Sequence, residues 1–583
     1  MLYTGIHIQL PEAPGKILKI RKGASTYVYY QYGSEYDKQR KFALSKRDCI
    51  GKLDDDGSLI PNGNFHKYFP LAKLPGEKAR TSRSGCLRIG AYVIVKWLAE
   101  QCSLQPVLRK IFNGADHGLL QDLVAYSIVC VNNAAQYYPD YAYNHPLFTI
   151  GMCQYSDTKV SSFLGGMPRE KTLAFLAAWN QGRSKGEKIY VSYDSTNKNS
   201  QAGDLRLVEY GRAKDDLRLP VFNYSIAYDR TNRVPLFYED YPGSVVDVSQ
   251  IQYMVDKASG YGYQDIGFIL DRGYFSKNNI KYMRGKGYDF ILMLKGLSSL
   301  VDQLVMSLKG SFEQRRDCAI REFRAYGTTV KSKLFADDDC ETFFHIFHSA
   351  RREAVELEEI EAKIERMSRY IKKFEGRETA FAEEYSRYFE LFFDKKGRKF
   401  LFAREKPGVI EHGLSLCGYF AIVSSEEMTA SEALRLYKSR DNSEKLFRGD
   451  KSYLGNKSMR VYTDDATGAK IFIEFVALIL RNKLFTYLKS AVLKNERKYN
   501  FMTVPAAIRE LEKIELVRGG DNAYRLDHAV TATQKAILSA FGLMPEYIDQ
   551  QAKEISETIA KLEQAQTEKD NGKVIENQTS CWN

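Results

Sequence analysis

The chemistry-bearing residues of this chain concentrate in one stretch, Tyr437-x2-Arg440-x3-Glu444-x6-Lys451. On a helix turning about 100° per residue, and with Tyr437 at zero, Arg440, Glu444 and Lys451 fall at about 300°, 340° and 320°. Arg448, at about 20°, extends the same stripe. A single carboxylate is thereby surrounded by groups that bind phosphate, Arg as a planar fork and Lys as a point charge. That grouping suits a site holding a metal ion while gripping a nucleic-acid backbone, and it predicts phosphoryl-transfer chemistry. Read alone, the stripe is more readily a solvated, salt-bridged helix face.

A metal pair needs further acids, and two occur where strand-like runs end. Ile189-Tyr-Val-Ser-Tyr-Asp194 is rich in β-branched and aromatic residues and precedes the turn-prone Ser195-Thr196-Asn197. Ile266-Gly-Phe-Ile-Leu-Asp271 repeats the pattern before Arg272-Gly273-Tyr274-Phe275-Ser276, which leads into a helix start. Acids at the carboxyl ends of sheet strands project into the crevice where open α/β sheets bind ligands. Glu444 from a later helix would complete a cage of three carboxylates.

These acids and spacings resemble the bacterial insertion-sequence DDE transposases, in the branch carrying Y-x2-R-x3-E-x6-K, of which Asp-Arg-Gly-Tyr around Asp271 is also characteristic. The similarity is strongest from Lys188 to Leu480. The resemblance implies Asp194, Asp271 and Glu444 as catalytic acids and metal ligands for two Mg2+ ions, which Mn2+ can replace. It implies Tyr437, Arg440, Arg448 and Lys451 as DNA contacts. Cleavage at the ends of the element would free a 3′-hydroxyl that attacks target DNA, a cut-and-paste reaction on double-stranded DNA carrying terminal inverted repeats. Bringing two ends together implies a homodimer in the synaptic complex. Relatives use an aromatic residue of an insertion to hold a flipped base; Trp97, Trp179 and Trp582 all lie outside that region here, so a Tyr or Phe would have to serve. The alternatives are a ribonuclease-H-like nuclease that cuts without joining and a repurposed derivative that only binds element ends.

The fold class expected is α/β: a ribonuclease-H-like core with a mixed sheet, interrupted by an α/β insertion and preceded by a strand-rich module and a helical domain. Residues 1–85 read as strands, with Ser25-Thr-Tyr-Val-Tyr-Tyr30 among them and turns at Asp54-Asp-Asp-Gly57 and Pro61-Asn-Gly63. Residues 86–182 show helical periodicity and form a candidate DNA-end-binding domain. The catalytic domain occupies 183–296 and 413–500. Within it a strand at Asp194, a hairpin about Asp229-Arg-Thr-Asn232, a helix from Val246, the Asp271 strand, a helix from Lys277 and a strand at Tyr288–Leu294 follow one another. The 172 residues between Asp271 and Glu444 exceed a helix-strand step, which places an insertion at 297–412. Its heptad of Leu357, Ile360, Ile364, Met367, Ile371 and Phe374 reads as a helical hairpin packing on Phe381, Tyr385 and Tyr388 in preference to a dimerising coiled coil. Strand-like pieces at Arg321–Tyr326 and Phe343–Phe347 accompany it. Residues 501–583 read as helices and a polar tail.

Composition sets outer bounds. With 44% apolar residues the chain can bury substantial cores, and a net charge of +12 from 85 basic and 73 acidic residues favours a polyanion partner only weakly. Nine cysteines without C-x2-C spacing speak against a disulfide framework or zinc ribbon and fit a reducing cytoplasm. The apolar run Ile471–Leu480 is short and carries Glu474, and Met1 is not followed by a signal-like segment, so neither membrane spanning nor secretion is expected. His345-x2-His348 would ligate a metal only on a helix, because a strand sends the two to opposite faces. Gly260-x-Gly262 lacks the third glycine of a dinucleotide loop, and Asn577-Gln-Thr579 is a chance glycosylation match in a polar tail.

Overall fold

The computed structural model describes residues 7–13, 16–37, 41–69, 72, 83–131, 133–181, 183, 188–200, 205–211, 218–294, 298–440, 458–495 and 499–579. Alternating polar and apolar residues build an N-terminal antiparallel sheet of β1 (Lys16–Lys22), β2 (Ser25–Asp37), β3 (Phe42–Leu53) and β4 (Leu59–Pro61) in sequence order. One face closes over Val28, Ile50, Leu59 and Phe65, the last supplied by a short helix, Phe65–Tyr68. The aspartates at 54–56 and Gly57 form a turn: Ser58 N–H donates to Asp54 Oδ1 at 2.7 Å and Gly57 N–H to its carbonyl at 3.2 Å.

After β5 (Cys86–Arg88), six α-helices among the described residues between Gly90 and Gln181 supply the expected helical segment. They do not stand alone. They wrap the helix Asp464–Asn495, whose apolar run is buried; Phe472, for example, stacks on Phe112 at 5.9 Å and meets Phe175 edge-on at 5.1 Å. No helix among the described residues is long and apolar enough to cross a membrane.

The central sheet contains β6 (Ile189–Ser200), β7 (Val221–Asp229), β8 (Val234–Pro242), β9 (Ile266–Leu270), β10 (Asp289–Met293), β11 (Ala319–Ile320), β12 (Ala325–Ser332) and β13 (Thr342–His348). After the hairpin of β14 (Phe389–Phe393) and β15 (Phe400–Glu405), which pair only with each other, β16 (Tyr419–Ser424) and β17 (Ser458–Met459) return to it. The order is β11-β12-β13-β16-β10-β9-β6-β7-β8, with β17 beside β6. Only β6–β9, β9–β10 and β17–β6 are parallel. The sheet is therefore mixed, with a parallel heart, as the α/β expectation required. Tyr190 and Gly267 face each other across β6 and β9, and a Cβ at Gly267 would lie 2.6 Å from the tyrosine ring; only glycine permits that contact.

The structure corrects three local expectations. The polar stretch after Asp194 is not a turn: β6 continues to Ser200, pairing with β7 as far as Asn199↔Val221, and Ser195 through Ser200 are all buried. Arg321–Phe323 forms a helical turn ended by Arg324 at φ +51°, so the strand there begins at Ala325. The heptad residues from Leu357 to Ile371 lie on one helix, Ala350–Lys372, with Phe374 in the turn that follows; the helix packs against a short helix and the β14–β15 hairpin, where a helical hairpin was expected. Phe381, Tyr385 and Tyr388 do join its core with Ile364, Met367 and Ile371. Of the segment 297–412, β11 to β13 thus extend the central sheet, while 350–415 carries its own hydrophobic centre. At the C-terminal end, β18 (Glu515–Arg518) and β19 (Tyr524–Leu526) close on β5 between helices.

Candidate active site at the β6–β9 boundary

The parallel register of β6 and β9 runs from Ile189↔Ile266 to Tyr193↔Leu270, and one further step sets Asp194 beside Asp271. Neighbouring strands lie about 4.8 Å apart, and residues in parallel register face the same side, so the two carboxylates leave one face of the sheet together. The face is that of Ile269, which packs with Ala430, Ala433, Leu434 and Tyr437 of the helix Ala430–Lys438. That helix is started by a capping box, Thr429 with Glu432. Further along the same face Lys198 meets Glu474 of the Asp464 helix. The acids sit between these two helices.

Tyr437 closes the first helix with 5% of its surface exposed. The helix ends at Lys438, which corrects the expected single helical stripe from Tyr437 to Arg440: Arg440 lies in the turn beyond, its N–H donating to the Tyr437 carbonyl at 3.1 Å. From there the guanidinium folds over the Tyr437 ring, 5.3 Å from its centre, and places Nη1 2.6 Å from Asp271 Oδ1. Burial works to lower the Arg440 pKa, but Tyr437, Asp271 and Asp194 outweigh it and hold the group above its ordinary value. Asp271 Oδ1 also accepts from the Arg272 N–H at 2.7 Å, while Asp194 Oδ1 accepts from Ser195 N–H at 2.9 Å. With both of these Asp271 contacts on Oδ1 and the side chain 41% exposed, Oδ2 is the oxygen placed to bind a cation. Two hard carboxylate donors side by side fit Mg2+ or Mn2+.

The structure therefore brings together Asp194, Asp271, Tyr437 and Arg440. Glu444, Arg448 and Lys451 lie outside the described residues. Among the described residues no group of three His, Cys, Asp or Glu side chains could hold a metal. His345 and His348 fall on β13 and diverge: His345 bonds Thr329 and Ser424 at 2.9 Å, its pKa pushed down to about 4 by burial, and His348 meets Glu353 at 3.2 Å. The eight described cysteines are free thiols.

Two features escaped sequence reasoning. Arg440 pairs with an acid 169 positions away, and only the strand alternation of Ile269 and Asp271 hinted that the acid and the helix share a face. Lys198, fully buried, bonds Glu474 at 2.7 Å on the same face as Asp194, four residues along β6. The lone acid in the Ile471–Leu480 run was its visible signal, since a buried charge demands a partner.

Residues 195–480 match the family model described as Transposase DDE domain, beginning one residue after Asp194 and containing Asp271 and Glu444. The match supports a DDE transposase. No curated protein matched the chain. Among solved structures, a piggyBac transposase synaptic complex with hairpin DNA is similar at a TM-score of 0.33 and 10% identity, covering 80% of this chain and 82% of that one.

Proposed function

We propose that this protein is a DDE transposase that cleaves the ends of a DNA element and joins them to target DNA. The observation that carries the reading is the convergence of Asp194 and Asp271 on adjacent parallel strands, capped by Arg440, in and beside the segment that matches the transposase domain. The parallel core strands with an antiparallel hairpin on one side also support a ribonuclease-H-like catalytic core. Glu444 is the proposed third acid. It follows Arg440 by four residues, so covalent reach alone keeps their Cα atoms within about 14 Å.

Asp194, Asp271 and Glu444 would hold the ions, two Mg2+. When bound, such a pair supplies the positive charge that stabilises the attacking and leaving oxygens of an in-line displacement. The protein's own contribution is to fix the acids. The register of β6 and β9 holds two of them a strand spacing apart, and Arg440 orients Asp271 through Oδ1. Arg448 and Lys451 are proposed to grip backbone phosphates, as is any guanidinium edge of Arg440 not spent on Asp271. Water attacks first and frees a 3′-hydroxyl; that hydroxyl then displaces a 3′-oxygen in target DNA. Pairing two ends calls for a homodimer.

Replacing Asp271 by Asn keeps the shape but removes the charge. Incubated in Mg2+ with DNA carrying the inverted repeats that flank its gene, the wild-type protein is expected to cut and join, and Asp271→Asn to do neither while still shifting the same DNA on a gel. Metal-dependent cleavage retained by the variant would remove Asp271 from the active site. Cleavage without joining by the wild type would favour a nuclease.

A further inference from the structure

The N-terminal sheet has two unlike faces. Val28 and its neighbours are covered by the Phe65–Tyr68 helix, and Asp48 points to this side, where it takes Lys67 at 3.1 Å and Tyr68. On the opposite side the register aligns Lys16 with Gln31, Ile20 with Tyr27, Lys22 with Ser25, and then Tyr27 with Lys52 and Gln31 with Arg47. Four cations, Lys16, Lys22, Arg47 and Lys52, thus share one face with Tyr27 and Tyr29, and no acidic residue of these paired positions joins them. Lys16, Lys22 and Arg47 are exposed.

We infer that this open face docks duplex DNA through its phosphates, as a second DNA contact separate from the catalytic acids. The choice of DNA over another polyanion rests on the transposase reading; the charge pattern does not. Tyr29 anchors two of these cations: its hydroxyl accepts from Lys22 at 3.1 Å, and Arg47 Cζ lies 5.5 Å from its ring centre. The choice of duplex over single strand, like that of DNA, rests on the transposase reading. Lys16 and Lys22 lie six residues apart on β1, about 20 Å at 3.3 Å per residue, and Arg47 and Lys52 lie two strands away, roughly 10 Å. A patch of that size matches about six base pairs of duplex at 3.4 Å each, and contacts made by its cations to phosphates are sequence-tolerant.

The test is a salt titration of the full chain on a duplex of about 30 base pairs and arbitrary sequence, in EDTA so that no chemistry occurs. Each phosphate contact contributes about 0.9 to the slope of log affinity against log salt, so replacing all four cations by Gln should lower the slope by about 3.6. Between 50 and 200 mM salt the wild type should then lose about 150-fold more affinity than the variant. A drop below about 0.9 in a variant with wild-type circular dichroism overturns the inference. If the quadruple variant does not fold, Lys22→Gln alone should lower the slope by about 0.9, and an unchanged slope overturns it equally. Preferential binding of a single strand of the same length, lost in the variant, would overturn the assignment to duplex. Because the measurement needs no cleavage, a wild-type protein inert in Mg2+ would count against the transposase reading and leave the slope to judge this face by itself.

Discussion

Substituting Glu474 by Gln should unlock the strand that carries Asp194. Lys198 and Glu474 lie 2.7 Å apart with 0% and 2% of their side chains exposed, and Lys470, also buried, shares the carboxylate's field. Burial lowers the Lys470 pKa, Glu474 opposes that, and Lys198 adds to it. Both buried cations thus lie in the field of this carboxylate. Removing one partner of a buried pair costs about 3–5 kcal/mol because the remaining charge stays desolvated. An independent ceiling agrees: discharging a lysine at pH 7 from a pKa of about 10.4 costs about 4.6 kcal/mol, so the strain cannot exceed that before the ammonium gives up its proton. The readout is native-state hydrogen exchange of the β6 amides around Lys198, where about 3–5 kcal/mol corresponds to a loss of protection of roughly 10²–10³·⁵-fold. Lys198→Met with Glu474→Leu should recover most of it, since well-packed apolar replacements of buried pairs are often neutral. A loss under about tenfold in Glu474→Gln would refute the argument that this pair holds β6 in place.

Three other outcomes follow from the geometry. Arg440→Ala should reduce cleavage by about 100-fold through misplacement of Asp271 and lower the salt slope of DNA binding by at most about 0.9, the share of one phosphate contact; cleavage within about tenfold of the wild type would mean that Arg440 does not position Asp271. Lys451→Ala should show the opposite pattern, a slope lower by about 0.9 with base preference intact, and equal slopes and cleavage rates would make it a solvated surface residue. Asp122, buried among helices and bonded by the Phe148 and Thr149 N–H groups, has its pKa raised by burial to about 7 in spite of those bonds. Its folded pKa stands above its unfolded one, so the folded state keeps a proton that the unfolded state releases, and stability should fall as pH rises from about 4 to 7. Thermal melts across that range should show the decline in the wild type and a flatter profile in Asp122→Asn.

The sequence by itself determined the elements whose signal is local. The runs Ile189–Asp194 and Ile266–Asp271 are strands because β-branched and aromatic residues suit a pleated, buried surface, and the hairpin about Asp229–Asn232 is fixed by turn chemistry, with Asn232 N–H donating to Asp229 Oδ1 at 2.9 Å. Spacing likewise nominated Asp194 and Asp271. Where propensity and burial conflict, the local signal fails: Ser195-Thr196-Asn197-Lys198 has the composition of a turn, but pairing with β7 and the Glu474 carboxylate under Lys198 draw it into the sheet. Only the tertiary structure could decide the register that sets two acids 77 positions apart on neighbouring strands. The same holds for the pairing of Arg440 with Asp271 across a helix-sheet contact. Such contacts depend on which distant surfaces meet, and a periodic pattern specifies a face without naming what will cover it.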